Sequence, residues 1–178
     1  VVQAAMGYVS GPGLVAAVTD NMLDLSGVPR TFLRRDGREK APVDPPRRAK
    51  GDSLGIGIRF GVAQDVMADG EGIETTVSIR PAMPSLPLIA ATSANHLSAI
   101  VFPPALRTLL VIRDNDHSGD TATDALFARG RAAGIAVVLI EPELDDLNSD
   151  LMQLGRERLI HRVRQQVPQP LVERFMAA

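Results

Sequence analysis

The chain has 178 residues, 45% of them hydrophobic and 22% charged, with a formal net charge of −2, which fits one globular domain or one domain with a small appendage. It contains no cysteine, so a disulfide framework and any cysteine-based zinc site are excluded. No apolar run approaches the roughly 20 residues of a membrane-spanning helix.

Aromatic residues make up only 3% of the chain, so the core must be built from Ala, Val, Leu and Ile. That composition suits buried parallel strands covered by helices. The N-terminus lacks the charged start and long apolar stretch of a signal peptide. Together with the missing cysteines, this points to a reducing, cytoplasmic setting. A start at Val1 rather than Met suits a piece of a longer protein.

In chain order, 14–19 is a short apolar run and 20–27 a turn region. Strand-like residues resume at 28–33, and Asp36-Gly37 is a strong turn signal. The segment 41–50 holds Pro42, Pro45 and Pro46 and is expected to be a loop or extended arm. Alternating Gly and apolar residues over 54–62 predict a returning strand. These elements predict a small β-rich subdomain over residues 1–63.

From residue 64 to 178 the pattern changes to alternating strands and helices. Strands are expected at 65–68, 87–92, 109–113 and 135–140. Helices are expected at 71–79, at 94–100 with Ser93 as N-cap, at 119–133 ended by Gly134, over most of 146–166, and at 168–176. This alternation is the signature of an α/β fold with a parallel sheet flanked by helices.

In open parallel sheets, active sites form beyond the carboxyl ends of the strands. Three such ends carry acids here: Gly70-Glu71-Gly72, Asp114-Asn115-Asp116, and the segment holding Asp145, Asp146 and Asn148. Carboxylates gathered in one place repel one another and raise each other's pKa. A hard divalent cation relieves that repulsion, and an all-oxygen set without cysteine favours Mg²⁺ or Mn²⁺. Glu71 lies between two glycines where a strand turns into a helix. Gly119 follows the second acid pair where the backbone must turn again.

Gly70-Glu71-Gly72-Ile73-Glu74-Thr75, Asp114-Asn115-Asp116-His117-Ser118-Gly119 and Asp146-Leu147-Asn148 together resemble the three-motif pattern of the Toprim domain. The form is most similar to the Toprim domains of plasmid- and phage-borne primase-like proteins. The likeness covers about residues 65–155, and residues 16–60 resemble the segment that precedes Toprim in such proteins.

The resemblance implies a Toprim fold with Glu71 as general acid or base on a nucleotide hydroxyl. It implies that Asp114 and Asp116 hold the metal, and that Asp146 adds a contact directly or through water. Asn148 stands where some members have a second acid, so a second metal would be held less firmly. Glu74 either orients Glu71 or lies on the helix surface. Arg113 either touches phosphate or is a satisfied surface arginine.

Between residues 30 and 50, Arg30, Arg34, Arg35, Arg38, Lys40, Arg47, Arg48 and Lys50 outnumber Asp36, Glu39 and Asp44. Such a segment beside an acidic centre suits contact with a phosphate backbone. Arg156, Arg158, Arg162 and Arg164 form a second cluster, read as an exposed helix face. No Ser-His-Asp order and no phosphate loop ending Gly-Lys-Ser/Thr is present.

The expected activity is magnesium-dependent primer synthesis on a single-stranded template. Nucleotides and single-stranded nucleic acid are the expected partners, with a helicase or another replication protein beside them, and no membrane. A Toprim nuclease and a catalytically silent nucleic-acid-binding module are the alternatives.

Overall fold

The computed structural model describes residues 7–8, 13–36, 41–45, 47–51 and 54–176. Among these the strands form two five-stranded sheets. The first is antiparallel and comprises β1 (Gly7–Tyr8), β2 (Gly13–Val15), β3 (Val18–Thr19), β4 (Leu25–Phe32) and β5 (Arg47–Gly51). Its long strand β4 pairs with β2 and β3 and also with β5.

Two expectations change here. Residues 47–51 form a strand, not a loop. The prolines stop at Pro46, and the residues after it pair with β4 from Gly27↔Gly51 to Thr31↔Arg47. Strand β4 also begins earlier than 28, at Leu25. The turn expected at Asp36-Gly37 lies partly outside the described residues, as do Arg38 and Lys40.

The second sheet has the order β10-β9-β7-β8-β6. It contains β6 (Ile58–Phe60), β7 (Val66–Gly70), β8 (Leu88–Ala90), β9 (Thr108–Ile112) and β10 (Ala136–Ile140). Strands β7 to β10 run parallel, and β6 lies antiparallel against β8. The strand expected over 54–62 is therefore short and belongs to this sheet. Helices α1 (Ile73–Val77), α2 (Ala94–Ser98), α3 (His117–Ala133), α4 (Leu147–Ser149), α5 (Arg156–Gln166) and α6 (Gln169–Phe175) follow the strands. The mixed, mostly parallel sheet flanked by helices is the α/β class expected from the alternation.

Because β7 is buried along its whole length, each face of the sheet carries its own core. Val66, Ala68, Leu110 and Ile112 pack under α5 and α6 through Leu159, Val163 and Phe175. Met67, Ile89, Leu109 and Val111 pack on the other side under α2 and α3 through Leu97, Ala122 and Leu126. Burying an aliphatic side chain of this size contributes about 1.5–3 kcal/mol, so the strands that carry the acids sit in the most stable part of the molecule.

Ala16 and Val18 of the first sheet pack on Ile58 and Ala90 of the second. Arg59 reinforces this junction: its Nε donates to the Thr19 carbonyl at 3.2 Å and its Nη2 to Asn21 Oδ1 at 2.7 Å. No helix among the described residues is long and apolar enough to cross a membrane.

Candidate active site

Gly70, Ile112 and Ile140 stand side by side in register. The three strands therefore end in one row, and Glu71, Asp114 and the 141–146 loop leave the sheet at the same edge. Each exit is locally determined. Gly70 has no room for a side chain: a Cβ there would lie 2.5 Å from Thr76 Oγ1. Gly119 is required for a different reason, since a Cβ at that position would collide with the Asp114 carbonyl oxygen.

The loop after β10 is held by an acid that the sequence reading did not single out. Asp150 is 2% exposed and accepts the Glu143 and Leu144 N–H groups at 2.7 and 2.8 Å. It opens a π-helical turn at Asp150–Leu154. Helix α5 fastens the same loop. Arg158 grips Glu143 at 2.8 and 3.0 Å, and Arg162 donates to the carbonyls of Glu141 and Pro142. These two arginines are thus not a plain exposed face; they hold the segment that carries Asp146.

Asp114 is the centre of the site. Its Oδ1 is buried without a hydrogen-bond partner. Burial first, then the charges of Glu71, Asp146 and Asp116, push its carboxyl up to about 7. The Thr75 hydroxyl opposes that rise. Thr75 also donates to Asp146 Oδ2 at 3.3 Å, so one threonine ties two acids that lie 32 positions apart in the chain.

Asp116 is displaced the other way. Its Oδ1 accepts the Gly119 N–H at 2.7 Å and the Ser118 hydroxyl at 2.9 Å, and these bonds hold its pKa below the usual carboxylate range. Asp116 caps α3 in this way, and Asp146 caps α4 through Ser149 N–H at 2.6 Å. Each cap fixes a carboxylate at the sheet edge as a consequence of starting its helix.

The residues fit a hard divalent cation. Asp114 presents an orphaned buried oxygen, and three further acids impose their field on it. Among the described residues no three acid or imidazole side chains are gathered at chelating distance. Magnesium needs only one or two direct carboxylates and fills its shell with water and phosphate oxygens.

The remaining expected residues are placed as follows. Gly72 and Glu74 line a cleft beside α1. Asn148 accepts from Ser78 Oγ at 3.4 Å at the end of α1. Arg113 is held by its own surroundings, with Asp120 at 2.9 Å, Glu141 at 3.4 Å and Asn115 Oδ1 at 2.8 Å. These contacts brace the Asp114-Asn115-Asp116 turn, while Arg113 Nε is buried without a hydrogen-bond partner. His117 is exposed at the start of α3.

Arg30 and Arg48 face each other directly across β4 and β5, and Lys50 stands opposite Val28. Side chains opposite one another share a face, so all three lie on one side of the first sheet. Their guanidinium carbons lie 4.2 Å (Arg30) and 5.9 Å (Arg48) from the Phe32 ring centroid. Among the described residues none of the three pairs with a carboxylate. The opposite face, with Ala16 and Val18, packs on the second sheet. The basic stripe therefore lies on the other face of the first sheet, although Arg30 also lines the cleft that holds Gly72 and Glu74. Arg34 and Arg35 are exposed beyond the end of β4. Lys40 and the Arg47 side chain lie outside the described residues.

Asp69 was also missed. It is fully buried in β7, and neither of its oxygens meets a hydrogen-bond partner. Burial pushes its carboxyl well above the usual range. The Gly70 N–H and the Arg59 and Arg129 guanidinium groups oppose that shift from outside hydrogen-bond geometry.

A family model described as Toprim domain matches residues 66–157, just over half of the chain. A second model, described as a domain of unknown function, matches residues 4–60. No curated protein matches the chain. Among solved structures, the fold is similar to the primase fragment of the bacteriophage T7 primase-helicase protein, with a TM-score of 0.62 at 12% identity over 85% of this chain and 62% of that one. It is similar to the zinc-binding and RNA polymerase domains of Aquifex aeolicus primase, with a TM-score of 0.61 at 15% identity over 88% of this chain and 40% of that one. A DNA primase domain from Pseudomonas aeruginosa gives a TM-score of 0.58 at 14% identity over 87% of this chain and 51% of that one. At these identities the likeness is one of fold, and the chain spans less than two thirds of each of these three structures.

Proposed function

Because this chain belongs to the Toprim domain family, we propose that it transfers nucleotidyl groups on nucleic acid, as a primase-like enzyme that builds a primer on a single-stranded template. The observation that carries the proposal is Asp114, whose buried oxygen lacks a partner and whose pKa is raised to about 7 with Glu71, Asp146 and Asp116 among the causes.

In this reading Asp114 and Asp116 hold a Mg²⁺ or Mn²⁺ ion, and Asp146 contributes directly or through water. When bound, the ion neutralises charge on the reacting phosphates. Glu71 takes or gives the proton of the nucleotide hydroxyl. Thr75 sets the orientation of Asp114 and Asp146, and the Arg113 clamp keeps the 114–116 turn from drifting when phosphate arrives.

The first sheet, β1 to β5, is the arm that engages nucleic acid. Arg30, Arg48 and Lys50 supply charge and Phe32 a stacking surface, the combination that binds single strands without sequence preference. The T7 neighbour is part of a primase-helicase protein, and a helicase is the natural partner for this chain as well.

Incubation with labelled single-stranded DNA, the four NTPs and Mg²⁺ tests the proposal. Lengthened products are expected, and Glu71→Gln should slow their formation by about 100-fold or more. Shortened products would make the chain a Toprim nuclease. Unchanged activity in both Glu71→Gln and Asp114→Asn would remove the acid site from the chemistry.

A further inference from the structure

A pocket of about 610 Å³ opens at the amino edge of the second sheet, within the roughly 300–1,000 Å³ of ligand sites. Val66 opens β7 and Pro87 directly precedes β8, whereas Glu71 follows the far end of β7, so the pocket lies at the opposite edge from the acids. Phe60, Val66, Pro87 and Phe175 give it apolar walls, and Arg80 and Arg174 give it charge. The two arginines differ. Arg174 is neutralised where it stands, since its Nη1 and Nη2 each donate to Asp65 at 2.7 Å. Arg80 is half-buried, and among the described residues no carboxylate pairs with it. Burial alone lowers its pKa. Its Nη1 donates to the Pro84 and Leu86 carbonyls and its Nη2 to the Phe60 carbonyl. These three bonds fix the guanidinium without balancing its charge. A guanidinium carries five N–H donors, so one on Nε and one on Nη2 remain to be used.

The geometry points to a docking site for the C-terminal residue of a partner protein, with its α-carboxylate on Arg80 and its apolar side chain against Phe60 and Phe175. The inference does not depend on the nucleotidyl-transfer reading. One unbalanced cation matches one carboxylate, and charge-assisted bonds of this kind are roughly twice as strong as neutral ones. Gln64 and Ser85 also line the pocket and offer an amide and a hydroxyl to the last peptide bond. Capture of a chain end by fixed donors is a recurrent mode of peptide recognition. A nucleoside triphosphate carries more negative charge than a single guanidinium balances. A nucleic-acid strand would bring successive phosphates against Asp65, which stands beside the pocket on Arg174. A chain end meets neither obstacle.

Fluorescence anisotropy with labelled, otherwise uncharged hexapeptides tests the proposal. One ends in Leu-Phe with a free carboxyl group, one is the same peptide amidated, and one ends in Gly-Gly with a free carboxyl group. The first should bind about tenfold or more tighter than either of the others. Val62 lines the pocket and is 54% exposed, so substitutions there should leave the fold intact, which melting checks. Val62→Glu sets a like charge against the incoming carboxylate and should weaken the first peptide about tenfold, whereas Val62→Gln should not. Equal affinity for acid and amide, no binding of any peptide, or binding indifferent to Val62→Glu would overturn the assignment. Two competitors complete the test. Displacement of the peptide by a thymine 12-mer would give the pocket to nucleic acid, and phenylpropionate binding as tightly as the peptide would give it to a free small acid. Either result would also overturn the assignment.

Discussion

Asp114 and Asp116 are two residues apart, yet their environments displace them in opposite directions. Asp114 is raised to about 7 by burial and by its acidic neighbours. Asp116 is lowered by the Gly119 N–H and the Ser118 hydroxyl. Asp114 thus binds its proton more tightly in the folded chain than in the unfolded one. Its contribution to stability is present below the ordinary carboxylate range and is lost as pH rises through about 7. Melting in chelator should therefore fall between about pH 4 and pH 7, and Mg²⁺ should restore it most at the alkaline end. Thr75→Val removes a hydroxyl that lowers Asp114, so the fall should extend to higher pH, with about 1 kcal/mol of stability lost. A flat melting profile in chelator would contradict the assignment. The placement of Glu71, Asp114 and Asp116 beyond strand ends was legible from the glycines that flank Glu71 and the apolar strand that precedes Asp114. Thr75 was not, because a threonine in a short helix carries no signal until the sheet brings Asp146 to it.

At the scale of elements, the strands that position the acids were legible from apolar runs closed by Asp-Gly, Arg-Asp or Glu-Pro. The helix at 117–133 was legible to within two residues, with Gly134 ending it at φ 68°. The strand β5 was hidden by the three prolines before it, since pairing depends on the residues after Pro46. The short strand β6 gave no clue to its sheet, because partner choice is a tertiary property. The π-helical turn was invisible because it opens at a buried carboxylate, Asp150, whose partners are N–H groups of the preceding loop, six and seven residues back. The turn between β9 and α3 gives a sharper test. Gly119→Ala forces a methyl against the Asp114 carbonyl, and the obstacle is backbone that cannot rotate away. Denaturant unfolding should show a loss of about 1–3 kcal/mol, accompanied by weaker Mg²⁺ binding. Unchanged stability and cation affinity would mean that the turn is looser than described.

Across the whole molecule, charge is divided between an acid site at one sheet edge and a basic stripe on the outer face of the other sheet. The net charge of −2 gives little long-range attraction for nucleic acid, so the proposed binding would have to come from the local patch. A bound strand would run along Arg30, Arg48 and Lys50 and turn around the sheet edge to reach Glu71. Replacing all three cations with Ala should weaken single-strand binding uniformly across sequences. It should also reduce the slope of log affinity against log salt by about 2, at roughly 0.7 per phosphate contact. An unchanged slope would place the strand elsewhere. Composition announced the basic segment, but only the pairing register revealed that Arg30, Arg48 and Lys50 share one face of the first sheet.

Everything proposed for the acid site requires Asp114 and its neighbours to bind a hard divalent cation. Titration calorimetry with Mg²⁺ and Mn²⁺ at pH 6 and pH 8 tests it most directly. Uptake should strengthen as pH rises through about 7 and disappear in Asp114→Asn. No uptake at either pH, or uptake indifferent to that substitution, would contradict it.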